Sequence, residues 1–344
     1  MFSNSGPSRL KASHLGRTSF SGELHHPRCF LLGEFGCGSR VLTALVLYAF
    51  GPQGRSEVLL HAIPLSLIGL GVAFALRAGL FNIGGDGQLI AGAIVAVFFA
   101  PYFAGWGIAG LVAFLIFGFA GGAALGAFVG YLRERFNASE IIVTIMLNYV
   151  AVQMVSYLIR GPMADPMPFW PRSYAIPPDC VLPVIVSGTR LHAGLIVALV
   201  MAIVFAVVQR RTVLGFQSSV FGANPGAATY AGFRVKALTI VVMAISGGLG
   251  GLAGAVEVGG VYQRIVENMG EGFGLAAIAV ALIARLEPVA IPFAACLFGI
   301  FFAGAGALQR ELALPFPLVW IVEATVIFMV SALHWALPSR TAEA

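Results

Sequence analysis

A cluster of polar residues interrupts the first long apolar part of the chain. Within residues 77–88, Asn82, Asp86 and Gln88 are interspersed with four glycines. Carboxamide and carboxylate side chains could bind a polar solute, and helix-breaking backbone survives at membrane depth only where it is buried in protein or lines a wet cavity. One interpretation is therefore a translocation path lined by these side chains. The other is an ordinary cytoplasmic turn, in which Asn82 or Asp86 caps the following helix.

A second group of polar residues occurs inside a later apolar run. Thr144 and Asn148 are four residues apart, so they share one face of a helix, and Gln153 follows them. Such side chains could hydrogen-bond a neighbouring helix or line a pore, and the sequence leaves both interpretations open. The candidate residues of the translocation path are Asn82, Asp86, Gln88, Thr144 and Asn148.

The sequence contains no catalytic signature. A phosphate-binding G-x-x-x-x-G-K-[ST] loop is absent, and the only lysines are Lys11 and Lys236. Neither a G-x-S-x-G nucleophile motif nor an H-x-x-x-H pair occurs, and the four cysteines lack metal-binding spacing. We therefore predict that the chain is not an enzyme and has no catalytic residue, metal site or cofactor of its own.

The composition indicates a membrane protein. Of 344 residues, 59% are hydrophobic and 10% are charged, and the mean hydropathy is +0.92. These values exclude a soluble globular protein. The net charge of +5 comes almost wholly from arginine, which we interpret as loop charge facing lipid headgroups and not as a nucleic-acid site.

Apolar runs long enough to cross the hydrocarbon core predict an all-α, polytopic helix bundle with about nine spans, within a range of roughly eight to ten. The predicted spans are 61–80, 86–103, 106–131, 139–159, 192–209, 237–257, 273–286, 289–308 and 316–337. The seventh is short and glycine-rich, so it could be re-entrant. We assign residues 1–40 to an atypical or disordered N-terminal segment and residues 41–344 to the membrane domain.

Arginine placement predicts the orientation of the bundle. Arg133 and Arg210 fall on the same side if the spans alternate, and positive charge marks the cytoplasmic side. The loop 210–236 and the C-terminus are then inside, and the proline-rich loop 161–190 is outside.

Small residues recur at intervals of four along the third and sixth spans. This spacing places them on one helix face and allows close approach of two backbones. The residues are Gly118, Gly122, Gly126 and Gly130, and Gly247, Gly251 and Ala255. We predict tight helix packing along both faces.

The loop 210–236 contains the signals of a short helix. Asn224 is a good N-cap, Pro225 suits the first helical position, and Gly232 suits the residue just past the helix end. A helix of roughly two turns is not stable by itself in water. It therefore needs a docking surface, and we predict that a separate protein drives the chain through this contact.

Three segments resemble motifs of ABC-importer permeases for nucleosides and simple sugars, in the superfamily that includes ribose and branched-chain amino-acid permeases. Residues 79–88, GLFNIGGDGQ, resemble the signature G-L-F-N-I-G-x-[ED]-G-Q. Residues 139–149, SEIIVTIMLNY, are similar to the segment N-E-V-[IV]-x-T-[IL]-M-L-N-Y. Residues 222–232, GANPGAATYAG, resemble the cytoplasmic loop G-x-N-P-x-A-A-x-Y-A-G.

The sequence departs from the family pattern in two places. The family has a transmembrane helix where this chain has the Ser-, His- and Arg-rich residues 1–40, so the sequence as given is expected to lack one helix. It also has Glu-Gly where this chain has Asp86-Gly87. The charge survives one methylene shorter, and function is expected to be retained.

The resemblance implies a type II-like permease fold in a bacterial cytoplasmic membrane. A second permease, identical or different, would complete the channel, and an extracytoplasmic binding protein would deliver the substrate. Two ABC ATPase subunits would carry ATP and magnesium and dock on the cytoplasmic loops. The resemblance makes the short helix a coupling helix, with the residues Gly222, Asn224, Pro225, Ala227, Ala228, Tyr230, Ala231 and Gly232.

The implied substrate is a nucleoside. Simple sugars and branched-chain amino acids are alternatives within the same class of importer. An ion-coupled secondary transporter and a membrane scaffold without transport activity are alternatives from other classes.

Overall fold

The computed structural model describes residues 48–51, 54–166, 170–270 and 272–312. The predicted segment 1–40 and the predicted ninth span, 316–337, lie outside these residues. In the described part of the chain the regular structure is helical, with isolated bridges and no strand. The all-α prediction is confirmed there.

The helices follow one another with short connections, apart from the loop between α4 and α5 and the segment between α8 and α9. Their bounds are α1 Gly54–Arg77, α2 Gly85–Phe99, α3 Ile108–Phe136, α4 Glu140–Arg160, α5 Gly194–Arg211, α6 Val213–Ala223, α7 Pro225–Tyr230, α8 Val235–Glu257, α9 Phe273–Ile283 and α10 Ile291–Leu312. A 3₁₀ turn extends α2 over Ala100–Phe103, and a π turn extends α8 over Val258–Tyr262.

Six helices in the described residues are long and apolar enough to cross a membrane. They are α1 to α5 and α8, and they coincide with six of the predicted spans, so the chain is a multi-pass membrane protein. The predicted eighth span coincides with α10. The predicted seventh span corresponds to α9, whose 11 residues reach roughly 16 Å, about half of the ~30 Å hydrocarbon core. By itself α9 is too short to cross.

The helices α1 and α8 form the centre of the bundle. Of the most apolar stretch of each helix, 89% is buried in α1 and 78% in α8, against 17% in α4 and 22% in α5. The centre is closed by α2 and α3, which pack on α8, and by α9 and α10, which pack on α1. The helices α4 and α5 lie at the periphery of the described bundle.

The predicted glycine contacts join α3 to α8. A Cβ at Gly122 would lie 2.6 Å from the Cα of Gly251, and one at Gly126 would lie 3.2 Å from the Cα of Gly247. Side chains cannot be accommodated where two backbones approach so closely. The prediction of tight packing along these faces is confirmed.

The helix ends define two sides of the bundle. On the α7 side lie the last residues of α1, α3 and α5, the first residues of α4 and α8, and the helices α6 and α7. On the loop side, the segment between α4 and α5 covers the ends of α2 and α8. Tyr174 Oη donates to Val97 O at 3.2 Å, and Leu182 N donates to Gly259 O at 2.9 Å.

Candidate functional site

The backbone after α1 turns back into the bundle. Leu80 N donates to Ala75 O at 3.0 Å, and Gly79 adopts a left-handed φ of 69°, which together end α1. The chain then reaches Gly85, where a Cβ would lie 2.8 Å from Cγ2 of Ile68. Since Ile68 precedes the last residue of α1 by two and a half turns, α2 begins about 13 Å inside the bundle.

The helix is interrupted between α1 and α2, at residues 78–84, which we call the break. Asn82 is the centre of a buried hydrogen-bond network there. Its Nδ2 donates to Gln88 Oε1 at 2.9 Å and to Ser246 Oγ at 2.7 Å. Its Oδ1 accepts from Gly84 N at 3.0 Å and from Gln88 Nε2 at 2.9 Å. Asn82, Gln88 and Ser246 are each at most 2% exposed. The network satisfies backbone and side-chain groups at the break and ties α2 to α8.

Asn148 of α4 also forms hydrogen bonds to the backbone around the break. Asn148 Oδ1 accepts from Gly87 N at 2.9 Å, and its Nδ2 donates to Ile83 O at 3.0 Å. Thr144, one turn earlier and 1% exposed, donates from Oγ1 to Glu140 O at 2.7 Å within its own helix. Of these two side chains, only Asn148 forms hydrogen bonds to the broken backbone.

A second segment enters the bundle from the loop side. Gln263 O still accepts from Ile176 N at 3.0 Å on that side, and α9 then begins beside the start of α2. There Gly274 N donates to Asp86 Oδ1 at 2.6 Å, so a carboxylate of α2 binds the first turn of α9. Asp86 is also in the first turn of its own helix. A carboxylate at this position interacts favourably with the positive ends of both helices, and two helix N-termini meet inside the bundle.

The structure therefore brings the predicted path residues together. Asn82, Asp86, Gln88 and Asn148 surround the break, and Thr144 packs beside it. An exposed turn does not fit this arrangement, because Asn82 and Gln88 are buried and the N-cap position of α2 is Gly84, which makes no side-chain cap. Contact of these residues with a translocated solute stays a prediction.

Two partners in the network could not be identified from the sequence. Ser246 lies in a glycine-rich part of α8, and Gly274 contributes only a backbone amide. Neither position has a residue type or spacing that predicts its partner. Only the packing of α8 and α9 against α2 shows that they belong to the site.

The short helix of the loop 210–236 forms as predicted. Asn224 Oδ1 accepts from Ala227 N at 3.0 Å, Pro225 is the first residue of α7, and Gly232 has a φ of 80° just past its end. Tyr230 is 98% exposed. Of the six residues of α7, only Ala228 is buried. The predicted cap, start and end of this helix are confirmed.

The segment that carries α7 touches the turn that leads into the break. A Cβ at Gly79 would lie 3.4 Å from the Cα of Gly222, and a Cβ at Gly222 would lie 3.0 Å from the carbonyl carbon of Ala78. Gly222 is the penultimate residue of α6, which runs directly into α7. Two of the sequence motifs are therefore in backbone contact.

An acidic residue joins three helix ends on the α7 side. Glu287, between α9 and α10, accepts from Arg77 Nη2 at Oε1 and from Arg210 Nη2 at Oε2, each at 2.9 Å. The hydrogen bond from Arg210 lowers the pKa of Glu287 from its usual value; Arg77 adds to this effect, and partial burial opposes it. The carboxylate form therefore links the ends of α1 and α5 to the α9–α10 turn.

Charged and titratable groups on the loop side serve local structure. Asp165 Oδ2 accepts from Arg172 Nε at 2.9 Å and from Arg264 Nη1 at 3.1 Å. Burial, with a smaller effect of Arg190, lowers the pKa of His192 to about 4, so this imidazole is neutral at pH 7. Within the described ranges, no group of three or more His, Cys, Asp or Glu residues is placed to hold a metal ion.

Comparisons with known proteins agree with this architecture. The sequence matches the family described as branched-chain amino acid transport system / permease component over residues 54–331. It is 37% identical over 279 residues to the guanosine ABC transporter permease protein NupP of Bacillus subtilis, covering 80% of each chain. It is 32% identical over 287 residues to the glucose ABC transporter permease protein TsgB13 of Haloferax volcanii, covering 80% of this chain and 76% of the relative.

A third relative is the nucleoside ABC transporter permease protein NupB of Lactococcus lactis. The identity is 30% over 319 residues, and the alignment covers 85% of this chain and 87% of the relative. The resemblance carried by the three sequence motifs is confirmed by these matches. The chain therefore belongs to this family of ABC-importer permeases.

Proposed function

We propose that the chain is the transmembrane permease subunit of an ATP-driven importer and that α7 is its coupling helix. The observation that carries the proposal is the exposure of α7: a capped helix of six residues, with Tyr230 98% exposed. A helix this short gains little stability from its own hydrogen bonds. Docking into an ATPase subunit gives its exposed side chains a partner.

The residues of the coupling segment divide into two groups. Asn224, Pro225, Ala227, Tyr230 and Ala231 are exposed and available to contact the ATPase. The others position the helix, since Ala228 is buried, Gly222 packs against the turn after α1, and Gly232 provides the left-handed turn. These others are Gly222, Ala228 and Gly232.

The proposed assembly has four kinds of component. Two ATPase subunits bind ATP and magnesium, so this chain needs neither a P-loop nor a cofactor. A second permease, identical or different, completes the channel, and an extracytoplasmic binding protein delivers the substrate. The membrane domain comprises residues 41–344. It has a type II-like arrangement of about nine spans, and a helical span needs about 20 residues.

The α7 side is the cytoplasmic side in this proposal. Arg210 and Arg211 end α5, and Arg234 and Lys236 flank the start of α8 on that side, as expected for cytoplasmic loops. The loop 161–190 is then outside and the C-terminus is inside a bacterial cytoplasmic membrane.

The substrate that we propose is a nucleoside. Two relatives, at 37% and 30% identity, are named guanosine and nucleoside permeases. A simple sugar is the second candidate, because a relative at 32% identity is named a glucose permease. ATP-driven uptake of guanosine and of glucose by the same reconstituted transporter distinguishes the two.

The variant Ala227→Glu tests the coupling helix. Ala227 is the third residue of α7, where a glutamate favours helix formation by a capping box and by the helix dipole. The substitution thus preserves α7 while placing a charge on its exposed surface. We expect ATP-driven uptake to fall at least about tenfold, because a charge left unpaired in an interface costs more than the ~1.4 kcal/mol that this factor represents.

A matched control places the same charge on the opposite side. Ser187→Glu lies in an exposed part of the loop between α4 and α5 and should leave uptake unchanged. Retention of the ATPase subunits during purification should be lost in Ala227→Glu only. Normal uptake and normal retention in Ala227→Glu would contradict the proposal, and uptake by the permease without ATPase subunits would favour an ion-coupled transporter.

A further inference from the structure

The exposed face of α4 has an unusual composition for a membrane helix. Six of its exposed positions recur every three or four residues and form one continuous stripe: Ile142, Met146, Tyr149, Gln153, Tyr157 and Arg160. Three further exposed residues lie beside this stripe, one position along from its members: Ile141, Val150 and Met154. Tyr149 is 66% exposed and Tyr157 is 68% exposed. We call these six residues the α4 stripe.

The exposed faces of α5 and α3 provide a comparison within the same chain. Every exposed residue of α5 from Ile196 to Val207 is isoleucine, leucine or valine. Every exposed residue of α3 from Ile108 to Phe128 is isoleucine, valine, alanine or phenylalanine. These faces suit lipid tails, whereas the α4 stripe combines an amide with two tyrosines.

The depth of Gln153 makes the difference significant. Asn148 contacts the backbone break about 13 Å inside the bundle. Gln153 lies five residues further along α4, about 7.5 Å nearer the loop side, and therefore within the hydrocarbon thickness. A carboxamide facing lipid tails at this depth would lack hydrogen-bond partners, which is costly. The stripe therefore faces something polar.

The polar surface continues from Gln153 to the loop side. Arg160 ends the α4 stripe and pairs with Glu267 at 2.5 Å, and Ser156 Oγ donates to the same carboxylate at 3.1 Å. A solute released on the loop side would meet this charged pair first and the amide of Gln153 next. This continuity favours an aqueous path over a dry protein interface.

We propose that Tyr149, Gln153 and Tyr157 contact the nucleoside as it crosses, with the α4 stripe lining the path between this permease and its partner. This inference rests on the proposed function. The two tyrosines are eight residues apart, about 12 Å along the helix, with Gln153 midway. Tyrosine rings stack on a nucleobase, and an amide, which both donates and accepts, pairs with the polar edge of a base or with ribose hydroxyls.

Cysteine labelling tests whether water reaches the stripe. Gln153→Cys and Ile203→Cys are introduced into the full transporter after Cys29, Cys37 and Cys296 are replaced by serine. Cys180 can stay, because burial, with a smaller effect of Asp179, raises the pKa of its thiol to about 11. Ile203 is an exposed residue of α5 at a comparable distance from the loop side, so it is a matched lipid-facing control.

The result expected is modification of Gln153→Cys by a charged, membrane-impermeant thiol reagent, at least about tenfold faster than Ile203→Cys, since only thiols in contact with water ionise readily. Guanosine with its binding protein should slow this modification. If both cysteine variants retain the ATPase subunits during purification as the unmodified transporter does, and Gln153→Cys is as unreactive as Ile203→Cys, the inference is overturned while the proposed function stands. Absence of ATP-driven nucleoside uptake in the unmodified transporter would overturn the proposed function itself.

Leucine variants test contact with the solute. Tyr149→Leu and Tyr157→Leu keep an apolar side chain and remove the stacking ring, and Gln153→Leu keeps the side-chain size roughly constant and removes the hydrogen-bonding groups. Each tyrosine variant should lower the ratio of guanosine uptake to ATP hydrolysis by about fivefold or more, the effect of losing one stacking contact, and Gln153→Leu should lower it by about fivefold, the effect of losing a hydrogen bond of ~1 kcal/mol. Tyr131→Leu, at an exposed tyrosine of α3, should not change the ratio. Equal ratios in all four variants would overturn the assignment of the three residues.

Discussion

The variant Asn82→Ala tests whether the polar network stabilises the break between α1 and α2. The substitution removes four hydrogen bonds and leaves Gln88, Ser246 and Gly84 N without their partner. Interhelical hydrogen bonds in membranes contribute on average ~0.6 kcal/mol each, and net hydrogen bonds in proteins contribute ~1 kcal/mol. We therefore expect the free energy of unfolding to fall by about 2–4 kcal/mol.

The measurement is denaturant unfolding of the purified protein in detergent, followed by helicity. Tyr230→Ala is the control, because a side chain that is 98% exposed should change the free energy of unfolding by less than ~0.5 kcal/mol. Combining Asn82→Ala with Gln88→Ala gives a double-mutant cycle. Since the two residues share two hydrogen bonds, the cycle should show a coupling energy of about 1 kcal/mol. Wild-type stability of Asn82→Ala, or strict additivity in the cycle, would refute the network as a source of stability.

Three further predictions concern packing and pH. Gly122→Leu should destabilise the bundle by about 1–3 kcal/mol because it forces α3 away from α8, whereas Ala124→Leu, on the exposed face of α3, should be neutral in the same unfolding assay. Because the pKa of Glu287 is lowered in the folded protein, its ion pairs stabilise the fold above the usual carboxyl pKa, and this stabilisation is lost as pH falls through the lower folded value. The loss should amount to less than ~1 kcal/mol because the pairs are partly exposed. It should be absent in Glu287→Gln. His192 has a folded pKa of about 4 against 6.5, so stability should fall by about 3 kcal/mol between pH 6.5 and pH 4, and His192→Asn should remove that fall in thermal unfolding measured at each pH.

Local signals explain why α7 could be predicted residue by residue. Asn224, Pro225 and Gly232 act within a few positions of each other, and each has one strong backbone preference. No tertiary contact is needed to place them. The glycines of α3 were predictable for a similar reason, because their period of four fixes a shared face.

The position of the start of α9 inside the bundle could not be predicted from hydropathy. A run of apolar residues over 273–286 reports burial and length, and both a spanning and a re-entrant helix satisfy it. What places the start of α9 inside the bundle is the hydrogen bond from Gly274 N to Asp86, between residues 188 positions apart in sequence. That contact depends on how α2 and α9 pack and has no local signal.

The direction of polar residues on α4 shows a similar limit. Thr144 and Asn148 share a face, but helical periodicity does not say which neighbour that face meets. Gln153 is five residues beyond Asn148 and therefore about 140° away around the helix. Once Asn148 is placed against the break, Gln153 must point away from it. One long-range contact thus separates the structural amide from the exposed one.

The contacts on the α7 side connect α7 to the break between α1 and α2 and to the start of α9. Gly222 packs backbone to backbone on the turn at Gly79, with no flexible side chain between them to absorb a displacement. The chain continues from Gly79 within a few residues to Asp86, which binds the start of α9. The far end of α9 is held through Glu287 to α1 and α5. A shift of α7 therefore acts directly on the turn that leads to the N-termini of α2 and α9. These two N-termini are held in the bundle by polar contacts instead of by continuous helix.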